Sequence, residues 1–257
     1  MPKAYMVLYL DGPFQSYGIN YTEKLKGTEV FPSKSAVIGL LGCSLGITRE
    51  QREKLSELSH NLRMAVRLDR GGRKITDYQN VAGAYVLDTS KENKGKYKCR
   101  GHITVEALIK GNKAASSDNK LIDKEYLMDT AFTVVLEGEE ELLKECEEAI
   151  KNPKWIYSLG RYNCVPSVPI YGTIVDREFV DKVIYTEFTS LEEAISKVPH
   201  CSRYDKFKDK FMVQIEVSEE EAFSKNTKRM ADSFEKDTYV GTSSYGNRYV
   251  YNTYVSA

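Results

Sequence analysis

The strongest constraint in this 257-residue chain lies in its first fifty positions. An aromatic and β-branched run over residues 5–10 meets Asp11-Gly12-Pro13-Phe14-Gln15-Ser16-Tyr17-Gly18. Such a run, bounded by Gly and Pro, predicts a strand that ends abruptly. Gly12 and Gly18 allow the loop backbone angles that a β-carbon resists. Phe31-Pro32-Ser33-Lys34-Ser35 then opens an apolar helix dotted by Gly39, Gly42 and Gly46. Ser33 and Ser35 can cap the free amides at this helix start, and those amides with the helix dipole favour an anion beside Lys34. Two readings stay open: an ordinary capped helix, or a phosphate seat with a cation next to it. A nucleoside-triphosphate loop is excluded, because no Gly-rich segment precedes Lys34-Ser35.

Further along, Thr48 and Gln51 form a capping-box pattern before a short helix carrying Leu55 and Leu58 and ending near His60. Leu62, Met64, Val66 and Leu68 alternate with Arg63, Arg67 and Asp69, which predicts a strand with one apolar face and one basic face. Gly71-Gly72 closes it. Lys94, Lys96, Lys98 and Arg100 recur at every second position, so an extended strand would project all four cations to one side. With the turn-rich stretches around residues 110–119, this predicts an extended hairpin arm with a basic edge; a solvated edge strand protected by lysines is the alternative. An apolar strand over 131–136 leads into a helix over 139–151, with Leu142, Leu143, Cys146, Ala149 and Ile150 as its buried stripe. Asn152-Pro153 stops it. A loop with Gly160, Arg161 and Tyr162 precedes a predicted strand over 168–175.

Strand, helix, strand, arm, strand, helix, strand is the order of the split βαβ plan. The expected fold is therefore α+β: a ferredoxin-like body over 1–175, interrupted by the arm in the loosely patterned stretch over 76–129. A small C-terminal β-rich domain is expected over 176–257, with strands near 183–188 and 211–217, a helix near 191–198, and the closing Tyr245, Arg248, Tyr249, Tyr251 and Tyr254 packed mainly in a half-buried sheet.

Charge enters because the chain is formally neutral, with 37 Lys/Arg against 37 Asp/Glu. The balance is uneven: residues 1–110 carry 18 basic and 11 acidic side chains, leaving 19 and 26 for the remainder. One part can thus meet a polyanion while the other stays acidic or meets a protein. The five Cys, at 43, 99, 146, 164 and 201, lack metal-ligand spacing and suit a reducing cytoplasm. No leader or membrane-spanning run is expected, and no metal or cofactor. The three His form no triad. His102, with Tyr97 and Lys98, is the one group that could cleave RNA without metal, through a base and a charge-stabilising cation.

The Gly-Pro-Phe-Gln-Ser-Tyr-Gly loop, the Pro-Ser-Lys-Ser helix start, the Gly-dotted helix and the Leu159-Gly160-Arg161 loop occur here in one order. So do Asp77-Tyr78-Gln79-Asn80-Val81, Glu125-Tyr126-Leu127 with Asp129, and Tyr245-Gly246-Asn247-Arg248. In this set the chain resembles the CasD family, the fifth family of CRISPR-associated proteins in its type I-E form, of the RAMP superfamily. The resemblance implies a ferredoxin-like (RRM/RAMP) body, a protruding β-hairpin thumb and a small C-terminal β domain. It also implies a non-catalytic subunit of the Cascade effector complex that caps the 5′ handle of the guide crRNA. The thumb, for which the resemblance implies bounds of about 77–127, would contact the neighbouring backbone subunit. Other partners would be the large subunit and, only through the assembled complex, target DNA; no membrane is involved. The implied RNA-binding residues are Gly12, Gln15, Ser16, Tyr17, Lys26, Ser33, Lys34, Ser35, Gly160, Arg161, Tyr162 and Arg248, with Lys94, Lys96, Lys98 and Arg100 on the arm. Lys26 and Val30 stand where the family often has Arg, and Tyr162 where it often has a second Arg, so base stacking by Tyr162 can replace a phosphate fork. Two other functions remain: a metal-independent endoribonuclease using Tyr97, Lys98 and His102, as in type I-C relatives, and a protein-only scaffold.

Overall fold

The computed structural model describes residues 3–18, 24–87, 96–98, 115–223, 233–239 and 245–256. Its strands in chain order are β1 Lys3–Asp11, β2 Phe14–Gln15, β3 Leu25–Lys26, β4 Arg63–Arg70, β5 Arg73–Leu87, β6 Lys96–Lys98 and β7 Ala115–Met128. They continue as β8 Ala131–Glu139, β9 Thr173–Val175, β10 Glu178–Val180, β11 Ile184–Tyr185, β12 Lys210–Val217, β13 Ser233–Tyr239 and β14 Tyr245–Ser256. The helices are α1 Lys34–Leu45, α2 Arg52–Asn61, α3 Glu140–Lys151, α4 Leu191–Lys197 and α5 Glu219–Phe223. It is a mixed α/β structure, and one sheet runs β11-β1-β8-β4-β12-β14-β13. Its neighbouring strands pair antiparallel, including β1 with β8 and β8 with β4.

Both faces of this sheet are buried, which explains the near-continuous apolar run of β1. Ala4, Met6, Leu8 and Leu10 enter one core with Val37, Ile38 and Leu41 of α1, Leu58 of α2, and Leu143, Cys146 and Ile150 of α3. Tyr5, Val7 and Tyr9 enter a second core with Leu191, Ala194 and Ile195 of α4 and with Phe211, Val213 and Ile215 of β12. The period-two alternation of a strand thus feeds two cores at once. Thr48 and Gln51 make their capping box ahead of α2 through a short 3₁₀ turn, and the Thr48 amide donates to Gln51 Oε1 at 3.2 Å.

The chain forms two compact units, residues 1–19, 27–75 and 126–257 in one and residues 20–26 and 76–125 in the other. The arm expected at about 77–127 falls mainly on the second unit. There β3 pairs in parallel with β7, and β5 pairs antiparallel with β6. The boundary expected at 175 does not separate units. Strands from both sides of it share the seven-stranded sheet, and the strand beside β1 is β11, whereas of the expected strand over 168–175 only Thr173–Val175 is strand, and it pairs with β10 in a separate two-stranded sheet.

Arg67 explains much of that union. The sequence placed Arg67 and Asp69 on an exposed basic face; both are instead fully buried. Arg67 Nε donates to Asp69 Oδ1 at 2.6 Å, and its other nitrogens reach the carbonyls of Ile195, Val198 and Pro199 at 2.6, 3.1 and 2.8 Å. Asp69 Oδ2 accepts from Thr133 Oγ1 and from the Cys201 amide, both at 2.6 Å. A guanidinium thereby satisfies the open carbonyls at the end of α4, where a cation also suits the dipole. Burial pushes the Asp69 carboxyl up, but Arg67 and the hydrogen bonds from His200, Arg67 and Thr133 outweigh it and hold the group below its ordinary value. Its stabilising contribution is therefore full above about pH 4, the ordinary carboxylate range, and fades as pH falls through the lower folded value.

Removing one partner of a buried, hydrogen-bonded pair leaves the other charge uncompensated, at about 3–5 kcal/mol. Arg67→Ala is expected to lower stability by that order in urea unfolding at neutral pH. An effect below about 1 kcal/mol, the scale of exposed pairs, would refute this assignment.

Candidate nucleic-acid interface

β1 delivers Asp11 to the start of the loop at residues 12–18, and Asp11 is buried. Arg203 grips it with Nε at 3.0 and 2.9 Å from the two carboxylate oxygens, and its Nη1 donates to Asp129 Oδ1 at 2.6 Å. Asp129, at φ 56°, also accepts from Arg70 at 2.7 Å, and its amide donates to the Pro13 carbonyl at 3.1 Å. The hydrogen bond from Arg70 leads the causes that lower the Asp129 carboxyl pKa.

Past Gly12 the loop turns inward. Gln15 Nε2 donates to the carbonyls of Leu10 and Thr130 at 3.1 and 2.8 Å, and its Oε1 accepts from the Tyr17 hydroxyl at 2.6 Å. Tyr17 packs edge-on against Phe132, and its amide donates to Thr28 Oγ1 at 2.8 Å. Burial drives the Tyr17 phenol well above its ordinary pKa, so it remains a neutral donor. Gln15, Ser16 and Tyr17, expected to touch RNA, are 0%, 2% and 2% exposed. Their backbone and side chains shape the loop and do not present polar groups at the surface, because the strand ends beside them need those hydrogen bonds.

The helix start differs from expectation in the same way. Ser33 Oγ accepts from the Ala36 amide at 3.3 Å, so the cap is made. Lys34 is only 3% exposed and its ammonium lies 2.7 Å from Glu216 Oε1 on β12. Glu216 Oε2 accepts the Met64 amide at 3.0 Å, which ties α1, β4 and β12 together. The capped-helix reading holds, and the cation intended for a phosphate is spent on a carboxylate. Arg248, at 2% exposure, is likewise buried in the protein. Ser35 is half-buried, and Lys26 lies in the other unit. The side chains of Lys94, Lys96, Tyr97, Lys98, Arg100 and His102 lie outside the described residues.

What reaches the surface comes from the loop at 158–167. It closes on itself through the Leu159 amide to the Cys164 carbonyl at 2.7 Å and the Cys164 amide to the Arg161 carbonyl at 2.8 Å. It is sewn to the first loop by the Ser16 amide to the Leu159 carbonyl at 3.1 Å, and the Ser167 amide binds the Asp11 carbonyl at 2.8 Å. Glycine is required at both contacts: a β-carbon on Gly160, at φ 92°, would stand 1.8 Å from the Ser16 carbonyl oxygen, and one on Gly12 would stand 2.9 Å from that of Val165. The Arg161 guanidinium lies 4.8 Å from the centroid of the Tyr126 ring, a cation–π distance. Phe14 meets that ring edge-on, and Asn163 Nδ2 donates to its hydroxyl at 3.2 Å. Tyr162 is 92% exposed. A cation on an aromatic ring beside an open tyrosine can grip a phosphate and stack a base. Gly12, Ser16, Gly160, Arg161 and Tyr162 from the sequence reading thus belong to one loop pair, to which the structure adds Phe14, Tyr126, Asn163 and Arg203. Tyr126 carried a signal through its motif, whereas nothing local pointed from Arg203 back to Asp11, 192 positions away. Among the described residues no three His, Cys, Asp or Glu side chains converge as metal ligands would.

The family model described as CRISPR-associated protein (Cas_Cas5) matches residues 5–250. This chain belongs to that family. It is 29% identical over 180 residues to the CRISPR system Cascade subunit CasD of Escherichia coli (strain K12), covering 66% of this chain and 70% of that one. In fold it is similar to a chain titled "Crystal structure of Cas protein", at TM-score 0.59 and 24% identity, covering 98% of this chain and 95% of the other. A chain titled "CRISPR RNA-guided surveillance complex" matches with the same TM-score and identity, covering 98% and 91%.

Gly160→Ala places a β-carbon in the left-handed region, at about 1–2 kcal/mol, besides its collision with Ser16. It is expected to lower stability by roughly that amount or more and to expose the 158–167 loop to limited proteolysis; unchanged cleavage would contradict the sewn loop pair. Lys34→Ala should cost about 3–5 kcal/mol by stranding Glu216, and Lys34→Ala/Glu216→Ala should recover part of that loss in the same unfolding assay. No recovery would show that the pair is not what Lys34 serves.

Proposed function

We propose that this protein is the subunit of an RNA-guided CRISPR surveillance complex that holds the 5′ handle of the guide crRNA, without cleaving it. Membership of the CRISPR-associated family and similarity to CasD support the class of function. The observation that carries the site is the Gly160–Ser16 contact, which holds Arg161 over Tyr126 and leaves Tyr162 outside. Arg161 takes a backbone phosphate and Tyr162 stacks on a splayed base, the division of labour typical of single-stranded RNA recognition.

The order β11-β1-β8-β4, with α1 and α2 between β1 and β4 and α3 following β8, supports a ferredoxin-like body. On this reading the segment at about 77–127 is the thumb, which contacts the neighbouring backbone subunit, and its cations at Lys94, Lys96, Lys98 and Arg100 follow the RNA. The large subunit is a further partner, and target DNA is met only through the assembled complex. Work in the cytoplasm fits this role; no helix among the described residues is long and apolar enough to cross a membrane, which does not bear on crossing by strands.

The test is guide-RNA retention in the reconstituted complex together with incubation of the purified subunit with labelled repeat RNA, with and without EDTA. Arg161→Ala/Tyr162→Ala is expected to weaken handle binding roughly tenfold or more, since one stacked base is worth about 1–3 kcal/mol. Normal retention by that variant would remove the loop pair from the interface. EDTA-insensitive cutting that His102→Ala abolishes would replace the binding role with an endoribonuclease.

A further inference from the structure

A second concave site lies within the larger unit, lined by residues outside the 12–18 and 158–167 loops. Its cleft, of about 640 Å³, is lined by Asp176, Arg177, Lys197, His200, Tyr204 and Lys206 among others. That volume falls in the range of small-ligand sites. Lys197 is already paired with Glu193 at 2.6 Å, so it adds little net charge. Arg177 and Lys206 have no ion-pair partner among the described residues, which leaves the cleft cationic beside the single Asp176. Lys206 Nζ lies 5.8 Å from the Tyr204 ring centroid, so one cation sits near an aromatic face.

The aromatic wall is held rigidly. His200 stacks on Tyr204 with centroids 4.9 Å apart and an interplanar angle of 18°, and packs on Phe211 at 4.5 Å. His200 Nδ1 is 3.4 Å from Oδ1 of the buried Asp69. The platform is therefore anchored to the Arg67 network. Another part of the lining carries strain: β9 and β10 are joined by Asp176-Arg177 alone, at φ 49° and 72°. Two-residue hairpin turns of this hand favour glycine at the second position, and here an arginine occupies it. Backbone strain retained at a non-glycine residue points to a use for its side chain.

We propose that this cleft binds nucleotide phosphate, with Arg177 and Lys206 gripping the anion and the Tyr204 ring, backed by His200, meeting the base on its other face. It is a site separate from the crRNA-handle interface and does not rest on it. The ligand is either a free nucleotide or one unit of a single strand, and the chemistry is the same for both.

Binding of AMP by calorimetry and of a short fluorescein-labelled oligothymidylate by anisotropy, both to the purified full-length protein, tests the proposal. Arg177→Gly removes the guanidinium and gives the turn its favoured residue, so its Tm should equal or exceed that of the parent. Binding should nevertheless weaken at least about tenfold in this variant, and further in Arg177→Gly/Lys206→Ala, as expected for the loss of direct phosphate contacts. Weakening for AMP would show that a free nucleotide suffices; weakening for the oligonucleotide alone would identify a strand. No binding of either probe by the parent protein would overturn the proposal. So would binding that survives both variants, or oligonucleotide binding lost only in Arg161→Ala/Tyr162→Ala.

Discussion

The buried pair of Arg67 and Asp69 is the interaction on which the rest of the larger unit depends. It joins β4 to Thr133 of β8, to the carbonyls that end α4, and to the amide of Cys201. The segment it holds continues to Arg203, which in turn grips Asp11 at the end of β1 and Asp129 in the turn between β7 and β8. The origin of the 12–18 loop is thus set by an arginine whose own position is set by another. From Asp11 the constraint passes through Ser16 to Leu159 and Gly160, and so to the surface where Arg161 and Tyr162 stand. A change deep in the sheet can therefore be felt at the interface without any direct contact, by loosening the segment between residues 199 and 203.

This chain of dependence also explains why a domain boundary at 175 was attractive in the sequence and is absent from the fold. Turn-forming residues around Pro166, Pro169, Gly172 and Asp176 mark a real break in regular structure, and composition does change there. What composition cannot report is that Tyr5, Val7 and Tyr9 need a second cover. The apolar run of β1 predicted a strand, and its lack of polar alternation was the clue that both faces would be buried. Arg63, Arg67 and Asp69 hid the same fact in β4, because a charged residue at every second position reads as a wet face until its partners are known. Those partners come from residues 133 to 221, far along the chain.

The candidate site was legible wherever it depended on backbone geometry. Gly12 was expected to free the loop backbone and Gly160 to sit in a loop, and each proves to admit no side chain without collision. The cap at Ser33 and the capping box at Thr48 were legible because they are local. Charge assignments were not, because a lysine beside a capped helix start serves an anion or a carboxylate equally well. In Lys34 the carboxylate prevailed: Glu216 is a fixed, half-desolvated partner that also receives the Met64 amide, so releasing the lysine to solvent would leave that acid exposed to the full cost of its burial.

A neutral chain proposed to bind nucleic acid then presents no paradox. In the larger unit Lys34, Arg67 and Arg203 are paired with Glu216, Asp69, Asp11 and Asp129, so several of the cations counted in the sequence neutralise acids of the fold and add little net charge to an external field. Affinity for phosphate is set by the cations that remain outside and by the aromatic rings that accompany them, not by the formal total. Arg161 with Tyr126 and Tyr162, and Arg177 with Lys206 and Tyr204, are such local groups. Each combines a cation with an aromatic face at a loop held by glycine or by strain. Placement of this kind, rather than net charge, is what would suit such a surface to single-stranded nucleic acid.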